Sequence, residues 1–266
     1  MIKRILVGSA IAASGWAAYS SVRRWYATWG FDPTEALKVL PGDELIPDAT
    51  MSETRGLTID APAEAVWPWL VQMGYGRGGW YSYDALDMKG SSAEVIDPEL
   101  QRLAVGDMMP TDPNGGFMVK VIEAGRALVL FVDPEILAAR RPAGAGTVEV
   151  SPGVALSGRF LETATPPRFS AAWSFVLEPL GEGRTRLIER FRARLGVASA
   201  GSRLLGPALG FGMFVMIRRQ MLGIQARAEK LARGREVLHR DVDEIVDRAM
   251  AAPTDALDAE ITPAAS

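Results

Sequence analysis

Residues 168–180, RFSAAWSFVLEPL, place apolar side chains on every second position, so that Phe169, Ala171, Trp173, Phe175 and Leu177 share one face. That period predicts a strand with this face turned to a core. A Gly-Glu-Gly turn follows. The next segment, 183–195, alternates again: Leu187, Glu189, Phe191 and Ala193 fall on one face, and Arg186, Arg190, Arg192 and Arg194 on the other. Reading the arginine face as solvated turns Glu189 inward. Residues 116–124 and 126–133, two apolar runs across an Ala-Gly turn, predict a hairpin. Upstream, Leu57 and Ile59 alternate with Thr58 and Asp60 within 53–62, predicting a further strand with one buried face.

Helical periodicity occupies other stretches. Asp60-Ala61-Pro62 opens a helix, with an acid able to cap and a proline where its missing N–H does no harm. Val66, Trp67, Trp69, Leu70 and Met73 follow at helical spacing, with Pro68 set to bend the helix and Gly74 to end it. A short helical stretch is expected over 81–88. A long helix is expected over 201–233, where Met213, Ile217, Met221, Ile224, Ala228 and Leu231 form an apolar stripe. Strands grouped together, with helices at the ends, predict an α+β fold. An antiparallel sheet curled around one long C-terminal helix leaves a cavity between them.

The chain divides on this reading into an N-terminal hydrophobic segment (1–24), a connector (25–52), the main domain (53–233), an accessory helix (234–250) and a disordered tail (251–266). Residues 134–167 are rich in Pro, Gly and Ala and show no legible period. Residues 5–22 are uncharged and flanked by Lys3, Arg4, Arg23 and Arg24. As a helix they span about 27 Å, close to a bilayer core. A single membrane anchor is expected, with a cleaved export signal or a buried helix as alternatives. The apolar run 204–217 is too short to span and is expected to be buried under the sheet.

Composition removes several chemistries. The net charge is −3, which argues against nucleic acid as a partner. There is no cysteine, hence no disulfide and no thiolate nucleophile or metal ligand. The one histidine, His239, lies among Arg240, Asp241 and Asp243, which argues for solvent and against a catalytic triad. Neither a metal nor a cofactor is expected. Gly74, Gly76 and Gly79 carry the spacing of a dinucleotide-binding loop, but such a loop leaves a strand and enters a helix. Here helical residues precede it and no βαβ pattern follows. The glycines are instead expected to turn the chain sharply, with Arg77 facing water.

The text TRGLTIDAPAEAVWPWLVQMGYGRGGWYSYD (54–84), with LPGDELIP, PELQRLAVGD, RALVL, TRLIERFRAR and FVMIRRQMLGIQARAE, resembles the START-like, helix-grip superfamily, also known as SRPBCC or polyketide cyclase/dehydrase and lipid-transport proteins. It is similar to a bacterial subgroup within it. The likeness covers about residues 38–231. It implies a curved antiparallel sheet gripping the C-terminal helix around an apolar tunnel. Its cavity mouth would lie near Trp80, Tyr81 and Tyr83. The superfamily contains carriers, cyclases, hydrolase-like proteins and hormone binders, so no single activity follows.

Candidate ligand-binding residues are therefore Trp80, Tyr81, Tyr83, Met109, Phe117, Met118, Trp173, Phe175, Glu189, Phe191 and Met213. An inward carboxylate among apolar neighbours must be paired, hydrogen-bonded or protonated. Glu189 is expected to pair with an arginine or to accept from Tyr81, Tyr83 or Trp80, with ligand orientation and acid/base chemistry as alternatives. Asp84 is expected to be a structural partner. The leading expectation is binding or transport of a lipid or other apolar small molecule. The alternative is a cyclase, dehydratase or hydrolase using Glu189 as acid/base, helped by Tyr81 or Tyr83. The lack of a converging His, Asp and Glu cluster counts against that alternative.

Overall fold

The computed structural model describes residues 2–32, 35–87, 90–113, 115–133, 135–136, 147–151, 154–157, 169–194 and 200–251. The tail at 252–266 and most of the stretch 134–167 lie outside the described residues. The chain divides into two compact units, Met1–Glu229 and Lys230–Ser266.

The first unit is built on a six-stranded antiparallel sheet. Its strands are β1 (Met51–Ile59), β2 (Met108–Asp112), β3 (Gly115–Glu123), β4 (Ala127–Val132), β7 (Ser170–Gly181) and β8 (Arg184–Arg194), in the spatial order β1-β8-β7-β4-β3-β2. A separate hairpin pairs β5 (Thr147–Ser151) with β6 (Val154–Ser157). The helices are α1 (Ile2–Ala27), α2 (Ala63–Val71), α3 (Asp84–Asp87) and α4 (Ala200–Ala251). The curved sheet with its long C-terminal helix is the helix-grip arrangement of an α+β fold.

The alternation on β7 and β8 is realised residue for residue. The two strands pair with Trp173 opposite Phe191 and Phe175 opposite Glu189, and β8 pairs outward with β1, placing Glu189 opposite Arg55. Gly181, Glu182 and Gly183 all have positive φ, at 80°, 53° and 68°, which closes the β7–β8 turn tightly. The hairpin β3–β4 forms as expected. Strand β2 carries no clean alternation, and it adds to β3 at the sheet edge.

Two helix boundaries differ from expectation. Pro62, not Asp60, stands at the N-cap of α2, with no side-chain cap hydrogen bond. The Asp60 N–H instead donates to Glu229 Oε1. Residues Ala200–Ala251 are helical, so helix continues past the expected end at 233. Among the described residues no helix is long and apolar enough to cross a membrane, so the anchor expected from residues 5–22 has no such span behind it.

The largest correction concerns the arginine face of β8, which is covered at Arg190 and partly covered at Arg186 and Arg192, with only Arg194 exposed. Arg190 is 3% exposed. Its guanidinium donates to Asp43 Oδ2 at 2.6 Å, to the carbonyls of Ala36 and Lys38 at 2.7 Å each, and to Thr54 Oγ1 at 2.9 Å. Arg192 donates to the Ile46 carbonyl at 2.9 Å, and Arg186 donates to the Gly30 carbonyl while lying over the Phe31 ring. Under this cover Leu40, Ala127, Val176 and Ile188 form a second small apolar core, with Phe31 packed against it. The connector is therefore part of the domain. Its carbonyls satisfy guanidinium groups that would be costly to bury alone.

Arg190→Met is expected to cost about 3–5 kcal/mol, because it removes the closest cation of Asp43 and the donors to two connector carbonyls at once. The exposed pair Arg194–Asp48 is the control, and Arg194→Met is expected to change stability by less than about 1 kcal/mol. Urea denaturation measures both. Limited proteolysis is expected to cut within residues 36–48 only in the Arg190 variant.

Candidate functional site

Between the inner face of the sheet and α4 lies a pocket of about 420 Å³. Trp80, Phe117, Phe169, Trp173 and Phe191 form its aromatic walls, while Met213, Met216, Ile217 and Gln220 contribute from α4. Val132 and the glycines 115 and 116 complete the sheet side. A side chain at Gly116 would collide with the Met109 carbonyl of the neighbouring strand, so glycine lets β2 lie close beside the pocket. Met213 is 47% exposed and Ile217 is buried, so the pocket deepens along α4 from an open end at Met213.

Trp173 is the centre of the aromatic wall. Its ring stacks on Trp80, centroids 5.3 Å apart and planes within 14°. Phe117 meets it edge-on at 5.8 Å and Phe191 at 6.2 Å. Offset and edge contacts of this kind each add about 0.5–1.5 kcal/mol beyond area burial. The indole N–H of Trp173 points away from the pocket and donates to Glu189 Oε1 at 2.6 Å.

Glu189 is fully buried and does not line the pocket. Its other oxygen accepts from Arg55 Nη1 at 3.2 Å. Arg55, also fully buried, forms a second ion pair with Glu53 and donates through Nε to the Tyr26 carbonyl at 3.0 Å. The Phe214 ring lies 5.8 Å from its guanidinium carbon. One guanidinium thus serves two carboxylates beneath an aromatic lid. Burial pushes the Glu189 carboxyl above its ordinary range, and the Arg55 charge and the Trp173 hydrogen bond pull it back without overcoming burial. The expected arginine pair is Arg55. The indole partner is Trp173, where Trp80 had been expected.

The loop after α2 sets Trp80 in place. Gly74, Gly76 and Gly79 all take positive φ, and Gly74 and Gly79 pair their backbones across the turn. Arg77 does not face water: its guanidinium donates to the carbonyls of Met73 at 2.9 Å, Val71 at 3.1 Å and Leu100 at 3.2 Å. It thereby caps the C-terminal end of α2. Tyr81 has a φ of 58°, unusual for a residue with a side chain, and is held there by Ser92 Oγ accepting from its N–H at 3.1 Å. Asp84 is the structural partner expected, accepting from Ser92 N and Oγ. Gly223 lets α4 come against the Tyr81 carbonyl, where any side chain would collide.

Of the residues expected to bind a ligand, the structure brings Trp80, Phe117, Trp173, Phe191 and Met213 together on the pocket wall. Tyr81 is buried with its hydroxyl donating to the Trp69 carbonyl at 3.1 Å, and burial raises its pKa. Met109 and Phe175 are fully buried in the core, and Met118 does not line the pocket. Tyr83 is exposed and lines a different, more polar depression with Trp25, Trp29 and Arg218. Sequence reasoning missed Gln220, Met216, Ser82, Thr111 and Asp112. Gln220 flanks the apolar stripe of α4 one turn from Ile217, the one signal that could have found it. Among the described residues no cluster of His, Asp and Glu is placed to hold a metal ion.

No family model matches the chain, and no curated protein matches it. Solved structures with a similar course of the chain exist. A protein from Arthrobacter aurescens, solved by solution NMR, is 16% identical, with 73% of this chain and 92% of that one covered and a TM-score of 0.38. The di-domain ARO/CYC StfQ from the steffimycin biosynthetic pathway is 14% identical over 73% of this chain and 54% of that one, with a TM-score of 0.35. CalU16 from Micromonospora echinospora is 15% identical over 68% and 87%, with a TM-score of 0.28.

The buried triad sets a pH dependence. Glu189 holds its proton more firmly folded than unfolded, so its contribution to stability is present below about pH 4.5 and is lost as pH rises through the folded pKa. The stability of the chain relative to its Glu189→Gln variant is therefore expected to fall as pH rises above about 4.5, read by urea denaturation at each pH. A difference that grows with pH would show that the Arg55 pair dominates instead.

Proposed function

We propose that the protein binds a lipid-like or other apolar small molecule in the pocket between the sheet and α4, as a member of the START-like, helix-grip superfamily that its sequence resembles. The observation that carries this reading is the pocket itself: about 420 Å³, open at Met213, walled almost wholly by apolar atoms. A void of that size left in a core costs dispersion contacts, and an apolar guest restores them.

The placement of Glu189 favours binding over acid/base chemistry. Its two oxygens are engaged by Arg55 and Trp173, and the Trp173 ring stands between it and the guest. Tyr81 spends its hydroxyl on a backbone carbonyl, and Tyr83 sits elsewhere.

Purified full-length chain is expected to take up 1-aminoanthracene with a blue-shifted emission. Met213→Trp, which fills the open end with a larger side chain, is expected to weaken uptake by about 10-fold or more while leaving the thermal midpoint within about 2 °C. Absence of uptake by the unaltered chain would overturn the reading.

A further inference from the structure

Gln220 is a pocket-wall side chain whose polarity the fold barely uses among the described residues. It is 3% exposed, on α4, about two turns deeper than Met213. Its Nε2 donates only to Met73 Sδ at 3.5 Å, a weak acceptor. Among the described residues its Oε1 accepts no hydrogen bond, and a second N–H of the amide is likewise unused. The hydroxyls of the wall are occupied: Ser82 Oγ donates to the Met216 carbonyl at 3.0 Å, and Thr111 Oγ1 donates to Asp112 Oδ2 at 3.2 Å. Buried amides are nearly always satisfied, because an unpaired one forfeits its hydration without return. A leucine or methionine at 220 would have continued the apolar stripe at no such cost. The free positions of the amide open on the pocket, where a polar group that enters can meet them.

The geometry points to a ligand that is neutral and largely flat, and that carries a hydroxyl group at its buried end. This inference rests on the apolar-ligand reading above and narrows it. The stacked Trp80–Trp173 pair, with Phe117 and Phe191 edge-on, favours a flat ring system over a flexible chain. A hydroxyl both donates to Oε1 and accepts from the free N–H, which matches the two open positions of one amide. A carboxylate has no such match: no cationic side chain among the described residues lines the pocket, and the charged residue that does, Asp112, is acidic. Arg55, the nearest buried cation of the inner face, already serves Glu53 and Glu189.

Three probes of one shape test this: fluorene, 2-hydroxyfluorene and fluorene-2-carboxylate, measured by equilibrium dialysis against the full chain and its Gln220→Met variant. For the unaltered chain, 2-hydroxyfluorene is expected to bind tightest and the carboxylate weakest. Gln220→Met conserves volume and helix propensity. It is expected to lower the preference for 2-hydroxyfluorene over fluorene by about 10-fold. Equal binding of fluorene and 2-hydroxyfluorene by the unaltered chain overturns the inference, as does tightest binding of the carboxylate. So does a preference that survives in Gln220→Met. The comparison on the unaltered chain stands even where the variant does not fold. Failure of all three probes to bind defeats the apolar-ligand reading itself, whereas binding without the hydroxyl preference defeats only this refinement.

Discussion

A carboxylate in the middle of a sheet is expensive, and Glu189 is tolerated only because two partners meet it at once. Arg55 approaches along the sheet from β1, and the Trp173 indole approaches from β7. Each partner gains from the arrangement. Arg55 is fixed where it also reaches Glu53 and the last turn of α1 through the Tyr26 carbonyl. Trp173 is fixed with its N–H turned inward and its ring face turned to the pocket. The polar bond thus decides the shape of an apolar wall. Without it the indole N–H would seek another partner, and the stack with Trp80 would lose its reference plane.

The sheet that carries this bond is packed on both faces. On the outer face, Arg190 gathers connector carbonyls and Asp43 over a small apolar core. On the inner face, α4 lies close enough to Tyr81 that only glycine fits at 223. Strands held from both sides do not collapse readily into a neighbouring void. That rigidity allows a pocket to persist between the sheet and α4.

Much of this was legible in the sequence, for a local reason. Period-2 alternation put Trp173, Phe191 and Glu189 on one face, and register follows from alternation once the turn at 181–183 is fixed. The stripe on α4 and the glycine turn before Trp80 were local signals too. What escaped was non-local. The arginine face of β8 reads as solvated because its acceptors are main-chain carbonyls at 30, 36, 38 and 46, which leave no trace in side-chain pattern. Arg77 escaped for the same reason. Met109 and Phe175 have the same composition signal as pocket residues, and only the packing separates core from wall. Gln220 was hidden by its position beside a stripe of apolar residues, where attention goes to what is greasy.

The central claim is that Trp173, held from behind by Glu189, presents its ring to an open apolar pocket. Its indole N–H resonance, identified with Trp173→Phe in a ¹⁵N-edited spectrum, reports on both halves of that claim during a titration with fluorene. The account predicts that the Trp173 and Trp80 indole signals move together as the probe binds, while that of Trp16, 70% exposed on α1, stays fixed. Saturating probe that leaves the Trp173 signal unmoved would contradict it.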